Sequence, residues 1–358
     1  MLPEVITSVE QVTPEWLTET LRRNGFLERG RVKDVSVEVT RTMTVSIVSR
    51  LVASYAPGAA PHAPAHLFLK LSNPDFQPDA PCDRPPAEIV FYTSVVPEMP
   101  DPPVVRCYDS AYSRSTGRSH LLLEDLSETH QQPSPHLPPT VAESEREVDA
   151  LAAVHAHWWE HPRLGKDIGR LLGASDAEEI ARRNASDFAR FADFLGDRLS
   201  PARRSLYERA FSVFPKPWQR LTKAKGLTLT HGDAHFGNFL HPLDAEGGRT
   251  YLVDWQLWHP HIGPRDLAYM MTLFWYPERR ARMEETLLRR YHRGLAAGGV
   301  GDYTWEECFE DYRWSALRNI FIPILQWTRG QPGWLWWSQL EKSLAAFEDL
   351  RCIELVEG

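Results

Sequence analysis

Between Thr230 and Leu240 the chain reads THGDAHFGNFL, which gathers His231, Asp233, His235 and Asn238 into one short stretch. Three kinds of chemistry use such a set. His231, Asp233 and His235 alternate, and alternate residues of a strand share a face, so they would suit a zinc or iron hydrolase. His241, His259 and His261 follow as further candidate ligands. The plain alternative is a polar loop whose His and Asn side chains satisfy turn backbone. The third is phosphoryl transfer. There an aspartate orients the attacking hydroxyl and takes its proton, and an Asn on the same loop holds Mg2+. An Asp after the next strand holds Mg2+ across the β- and γ-phosphates. Asp233 and Asn238 have the D-x-x-x-x-N spacing of a kinase catalytic loop. HPLDAEGGRTYLVDW then supplies a turn and an apolar strand ending at Asp254. A metal hydrolase has no use for this Asn or this Asp.

The same chemistry needs a strand lysine to reach the α- and β-phosphates and a helix glutamate to pair with it. Lys70 in HLFLKLS and Glu88 in PPAEIVFY fit in type and order. Alone, each reads as a solvated surface charge. Lys70 resists that reading, because an unpaired charge among apolar neighbours is costly.

The elements that must position these residues follow from pattern. TPEWLTETLRRNGF reads as a helix, with Thr13 as N-cap, Pro14 in the first turn and Gly25 at its end. The alternating, β-branched stretch after it predicts a hairpin over about residues 33–55. HLFLKLS is a short strand carrying Lys70. AEIVFYTSVVPEM reads as a helix with Glu88 in its first turn, and PVVRCYDSAYS and SHLLLEDL as two more strands. After Asp125 the character changes. TVAESEREVDALAAVHAHWWEH is a long amphipathic helix, and two or three more cover about 176–224. GLTLT and TYLVDWQL read as a small strand pair, and from DLAYMM onward the chain is almost wholly helical. The pattern predicts an α+β chain, a small strand-rich lobe followed by a large, mainly helical one.

LTHGDAHFGNFL followed by YLVDWQLWHPHIGPRDLAYM resembles the aminoglycoside phosphotransferase and choline kinase group of small-molecule kinases. LLLEDLSE and VDWQ are most similar to its ecdysteroid-kinase-like branch. The resemblance runs from TPEWL through DLAYM and implies a protein-kinase-like fold with an enlarged helical C-lobe. By matched position it implies Asp233 as the catalytic aspartate, Asn238 and Asp254 as metal ligands, and Lys70 with Glu88 as the phosphate-anchoring pair. It implies an N-lobe over 1–123 and a hinge over 124–128, where the backbone of Glu124, Asp125 and Leu126 meets the nucleotide base. Residues 129–358 would form the C-lobe. The implied cofactors are ATP or GTP and Mg2+. The phosphate-covering loop would lie in TRTMTVSIVSR, where Thr44 and Ser46 stand and no glycine does. Trp255 occupies the place of the phenylalanine that follows the metal aspartate in protein kinases. Asp266 in RDLAY would brace the catalytic loop, with His155 packing against it; His235 either lines the site or makes a structural hydrogen bond.

The reading is therefore of a kinase acting on a hydroxyl of a small molecule. H-R-D and A-P-E signatures are missing, which disfavours a protein kinase. A nucleotide-binding pseudokinase is the alternative that the glycine-free loop supports, and the metal hydrolase is the third. A net charge of −8 argues against nucleic acid or an anionic membrane as partner. Cys82, Cys107, Cys308 and Cys352 are scattered, which predicts neither a zinc site nor a disulfide framework and suits the cytoplasm. The first residues lack a signal peptide's apolar core, and no apolar run is long enough to span a membrane. A monomer or homodimer is expected. The tryptophans at 255, 258, 275, 327, 334, 336 and 337 predict an aromatic wall for a substrate with a flat or apolar body, core packing being the competing reading.

Overall fold

The computed structural model describes residues 5–76, 84–134, 137–213, 225–244 and 248–357. Cys82, part of the Pro-rich stretch before Glu88 and the end of the 176–224 helical region lie outside the described residues. By contact the chain divides into two units, 1–131 with 240–256 and 132–239 with 257–358.

In the first unit five antiparallel strands lie in the order β1-β2-β3-β5-β4. They are β1 (Val32–Thr42), β2 (Ser46–Tyr55), β3 (His66–Ser72), β4 (Cys107–Tyr112) and β5 (Ser119–Glu124). Period-two alternation sets the faces of β3: Leu67, Leu69 and Leu71 are buried, while Lys70 points the other way. The leucine face packs with Leu51, Leu122 and helix α1 (Pro14–Arg23), whose Trp16, Leu17 and Leu21 close the core. Thr13 caps that helix by accepting from Trp16 N at 3.2 Å. Glu88 lies on α2 (Ala87–Val90), which runs on through a wide π-type turn over Phe91–Val95 and a 3-10 turn over Val96–Glu98. The long helix expected there is therefore a chain of three short turns.

Residues 240–256 complete this unit. The strands β6 (His130–Gln131), β8 (Phe239–Pro242) and β9 (Tyr251–Leu252) form a small sheet in the order β6-β8-β9, β7 (Leu227–Thr230) belonging to the other unit. Leu252 N donates to Pro103 O at 2.8 Å. Trp255, fully buried, stacks on Phe91 with centroids 4.0 Å apart.

The second unit is mostly helical. It contains α3 (Val141–His157), α4 (Ala174–Leu195), α5 (Pro201–Val213), α6 (Pro264–Phe274), α7 (Pro277–Ala297), α8 (Trp305–Asn319), α9 (Ile322–Thr328), α10 (Gly333–Asp349) and α11 (Ile353–Glu357). A capping box between Thr140 and Glu143 starts α3. Its two-stranded sheet pairs β7 (Leu227–Thr230) with β10 (His259–Ile262), His259 opposite Thr230 and His261 opposite Thr228. The expected partner of β7 was the TYLVDWQL strand, which instead sits in the first unit as the short β9. The α+β expectation is otherwise what the structure has.

Candidate active site

The predicted residues fall into two groups, one in each unit. In the first unit, Lys70 Nζ lies 2.6 Å from Glu88 Oε2 and 2.9 Å from Asp254 Oδ1. The Lys70 side chain is only 14% exposed and that of Glu88 7%, so the ammonium is held by charge, not by water. Burial by itself would pull the Lys70 pKa down; the Glu88 and Asp254 carboxylates outweigh it and the net shift is upward. Asp254 has φ 65°, a left-handed backbone that is uncommon outside glycine. It keeps a 44% exposed carboxylate. Such strain clusters at sites where geometry matters more than comfort.

The remaining predicted residues of this unit lie on turns and strand ends. Thr44 is exposed on the β1–β2 turn, which Asn73 clamps by donating to the carbonyls of Met43 and Thr44 at 2.9 and 3.1 Å. Ser46 is buried at the start of β2, opposite Ser72. Glu124 N donates to Arg106 O and Asp125 N to His66 O. The Asp125 carboxylate takes Arg50 Nε at 2.8 Å and Ser127 N at 2.9 Å. Leu126 O accepts from the backbone N–H groups of Thr129 and His130.

In the second unit the strand β7 delivers the chain into the loop that opens with His231. Asp266, fully buried at the start of α6, anchors it: Oδ2 accepts from His231 N at 2.6 Å and Oδ1 from Gly232 N at 3.0 Å. His155 Nε2 faces Asp266 Oδ2 at 3.3 Å, and its Nδ1 meets Tyr291 Oη at 2.8 Å. Burial would raise the Asp266 pKa; the hydrogen bond and charge of His155, then Arg265 and His231, hold it well below the carboxylate range. Gly232 has φ +85°, and a Cβ there would lie 2.1 Å from Leu257 O, so only glycine allows the close passage. Asn238 Nδ2 donates to Asp233 O at 2.9 Å and approaches Asp233 Oδ2 at 3.5 Å. The donor end of the amide is thus used inside the loop, and the acceptor end is the one a cation would use. The Asp233 side chain remains 27% exposed.

The alternation of His231, Asp233 and His235 does not build a metal site. The stretch is a loop with a 3-10 turn at Phe236–Asn238, so its side chains do not share a strand face. His231 Nδ1 accepts from Asp233 N at 3.3 Å and His235 Nδ1 from Gly237 N at 3.1 Å. Among the described residues no three His, Cys, Asp or Glu side chains are gathered to hold a metal. Cys107, Cys308 and Cys352 are unpaired thiols.

The expected tryptophans divide by burial, Trp327 and Trp337 being half-buried. Trp255, Trp258, Trp275 and Trp336 are buried core, while Trp334 is 74% exposed. His235 lies 5.1 Å from Phe274, which lies 5.5 Å from Tyr269, centroid to centroid. The Tyr269 phenol is held well above its ordinary pKa, first by burial and then by the Asp233 carboxylate. Sequence reasoning missed Tyr269 and Arg265; both flank the bracing aspartate in GPRDLAY, one helical turn apart. Among the described residues no helix is long and apolar enough to cross a membrane.

Residues 175–298 match the model of the ecdysteroid kinase-like family. No curated protein matches the chain. Among solved structures it is similar to a candidate aminoglycoside phosphotransferase from Ralstonia eutropha, with TM-score 0.59, 17% identity, and 94% of this chain and 98% of that one covered. It is similar also to aminoglycoside 2'-phosphotransferase-IIIa in its GDP complex, with TM-score 0.50, 10% identity, and 96% and 99% covered. A choline/ethanolamine kinase family protein from Mesorhizobium loti matches with TM-score 0.48, 14% identity, and 90% and 88% covered. At such identities the likeness to the first of these establishes the fold alone, which is protein-kinase-like.

Proposed function

We propose that this chain is a phosphotransferase that moves a phosphoryl group from ATP or GTP, with Mg2+, to a hydroxyl of a small molecule. The observation that carries the reading is the buried Lys70 ammonium, clasped by Glu88 at 2.6 Å and Asp254 at 2.9 Å. A cation so held is pre-organised for phosphate oxygens, which costs little reorganisation when they arrive. The carboxylate of Asp254 and the amide oxygen of Asn238 are hard oxygen donors, the kind that Mg2+ takes. Nucleotide and metal, when bound, supply the electrophilic phosphoryl group and neutralise its charge.

The chain's own residues then have distinct tasks. Lys70 would bind the α- and β-phosphates while Glu88 fixes its direction. Asn238 and Asp254 would hold the metal ions. The backbone at Glu124, Asp125 and Leu126 would receive the base, and the β1–β2 turn bearing Thr44, with Ser46 at the strand start behind it, would face the phosphates. Asp233, on a loop pinned by Asp266, would orient the acceptor hydroxyl and take its proton as the oxygen attacks. Catalysis is then mainly positioning and electrostatics. The enzyme would act in the cytoplasm on a soluble, hydroxylated substrate.

The test is a screen of hydroxylated metabolites and antibiotics with ATP or GTP, read by mass spectrometry as the gain of one phosphate. Phosphate gain that needs Mg2+ and disappears in Asp233→Asn supports the reading. Nucleotide binding without any transfer across the screen favours the pseudokinase, for which the clamped, glycine-free β1–β2 turn is the specific argument.

A further inference from the structure

The loop that carries Asp233 also carries a ring whose two nitrogens have different tasks. His235 opens the 3-10 turn at Phe236–Asn238, and its Nδ1 caps that turn by accepting from Gly237 N at 3.1 Å. Glycine at 237 lets the ring lie that close, since a Cβ there would stand 2.9 Å from His235 Cε1. Two aromatic rings flank the imidazole, Phe274 of α6 at 5.1 Å and Phe236 at 6.4 Å, centroid to centroid. The cap uses the Nδ1 lone pair, so in the neutral ring the hydrogen is assigned to Nε2. That nitrogen lies 3.9 Å from Asp233 Oδ2.

Capping explains Nδ1 and leaves the place of Nε2 unexplained. A cap needs one acceptor close to the backbone, and Asn or Ser supplies it without a far nitrogen. The 3.9 Å gap is too long for a hydrogen bond between the two groups, yet it suits one oxygen that meets both. An oxygen about 2.8 Å from each would see them at an angle of about 90°. Both side chains stay within reach of solvent, His235 at 29% exposed and Asp233 at 27%. Asn238 Nδ2 borders the same Oδ2 at 3.5 Å.

We propose that His235 is a second catalytic residue: its Nε2–H donates to the oxygen of the acceptor hydroxyl while that hydroxyl's own hydrogen points to Asp233. The proposal rests on the phosphotransferase reading. A hydroxyl oxygen has two lone pairs and one hydrogen. With one lone pair facing His235 and the hydrogen facing Asp233, the other lone pair has one direction left, that of attack. In the transfer the O–H bond breaks and its proton goes to the Asp233 carboxylate. The freed electron pair on oxygen forms the bond to phosphorus, and the bridging oxygen leaves with its bonding pair on the nucleoside diphosphate. Negative charge gathering on the attacking oxygen meets a donor already in place. The proton goes no further than Asp233, because Nε2 carries a hydrogen and Nδ1 is engaged by Gly237 N.

Two isosteres separate the tasks of the ring. Asn puts its amide where Nδ1 stands and can cap without reaching Asp233; Gln puts its N–H where Nε2 stands and can reach without capping. The full chain is given Mg2+ and ATP with water as the only acceptor, read as release of ADP and phosphate, and then with the acceptor found in the screen. His235→Asn should melt like wild type, keep the nucleotide KM and lose kcat at least tenfold, the loss of one donor at a developing charge. His235→Gln should melt lower and keep more kcat than His235→Asn. A cap alone predicts the opposite order of kcat, and wild-type kcat in His235→Asn overturns the proposal. Should that variant fail to melt cooperatively, His235→Ser, another capping residue, carries the comparison. Nitrogen NMR of the histidine rings reads the site without turnover. The signal that His235→Asn removes should be that of an Nε2–H ring, and an Nδ1–H ring overturns the proposal. Calorimetry with ADP keeps the two claims apart. A wild type that transfers phosphate to no acceptor, water included, removes the phosphotransferase reading and this proposal with it, whether or not ADP binds; transfer that persists in His235→Asn removes the role of His235 alone.

Discussion

Asp233 and Lys70 are expected to fail in different ways when changed. Asp233→Asn keeps a hydrogen-bonding side chain of the same size on a loop held by Asp266, so fold and nucleotide affinity should persist. Turnover should drop by about 10² to 10⁴, the range a positioned general base supplies. Wild-type-like kcat in that variant would remove the assignment. Lys70→Ala should raise the nucleotide KM and lower kcat by about 10². Glu88→Ala should do the same more weakly, and the double variant should lose less than the sum, because the 2.6 Å pair acts as one unit. Additive losses would leave Glu88 as a bystander. His261 predicts a pH dependence of stability. Its folded pKa is depressed, so above the unfolded value of about 6.5 nothing is lost, and below it the unfolded chain takes a proton that the folded one refuses. Stability should fall by roughly 1.4 kcal/mol per pH unit per such ring as pH drops under 6.5, before acids titrate. Arg318, Arg265 and His259 all press against protonation of the ring. Urea midpoints at pH 7 and 5 read it, and His261→Gln, a neutral amide at both values, should shrink the difference without abolishing it, because burial holds His259 down to about 3 as well.

At the scale of elements, the tight passage between the opening loop and the chain before β10 depends on one missing side chain. Gly232→Ala must place a Cβ 2.1 Å from Leu257 O at a positive φ, which should cost about 2 kcal/mol or more and displace Asp233. Thermal melts and kcat should fall together; a stable, active variant would show that the passage can widen without cost. This neighbourhood also marks where pattern reading stopped. The loop, Lys70, Glu88 and Asp254 were legible because the chemistry needs those types in that order, and because a lysine inside an apolar strand demands a partner. The helices were legible from caps and periodicity. The strand β10 was not, since HPHI is only four residues long and carries a proline and two histidines, neither of which favours a strand. With it hidden, β7 was paired with the wrong strand. The roles of the tryptophans were not legible, because an aromatic side chain in a helix looks the same whether it faces a ligand or a core.

At the scale of the molecule, the first unit is not one stretch of chain. It leaves off at residue 131 and is completed by residues 240–256. Those residues supply β9, the stacking of Trp255 on Phe91 and the 2.9 Å contact of Asp254 with Lys70. A fragment ending at residue 131 should therefore unfold without a sharp urea transition, having lost a fully buried tryptophan whose truncation alone typically costs about 3 kcal/mol or more. Joining 240–256 to it through a short linker should restore cooperativity, and failure to do so would mean that the division by contact is not a division of stability. The same discontinuity fixes an order of events on the ribosome. More than a hundred residues must be translated after the five-stranded sheet has emerged before its last pieces arrive, about 5–20 s at ordinary elongation rates. During that interval Lys70 and Glu88 are present and Asp254 is not yet made, so the nascent sheet waits with its Phe91 face uncovered. A chaperone that shields apolar surface would find its target in that window and lose it once Trp255 has emerged.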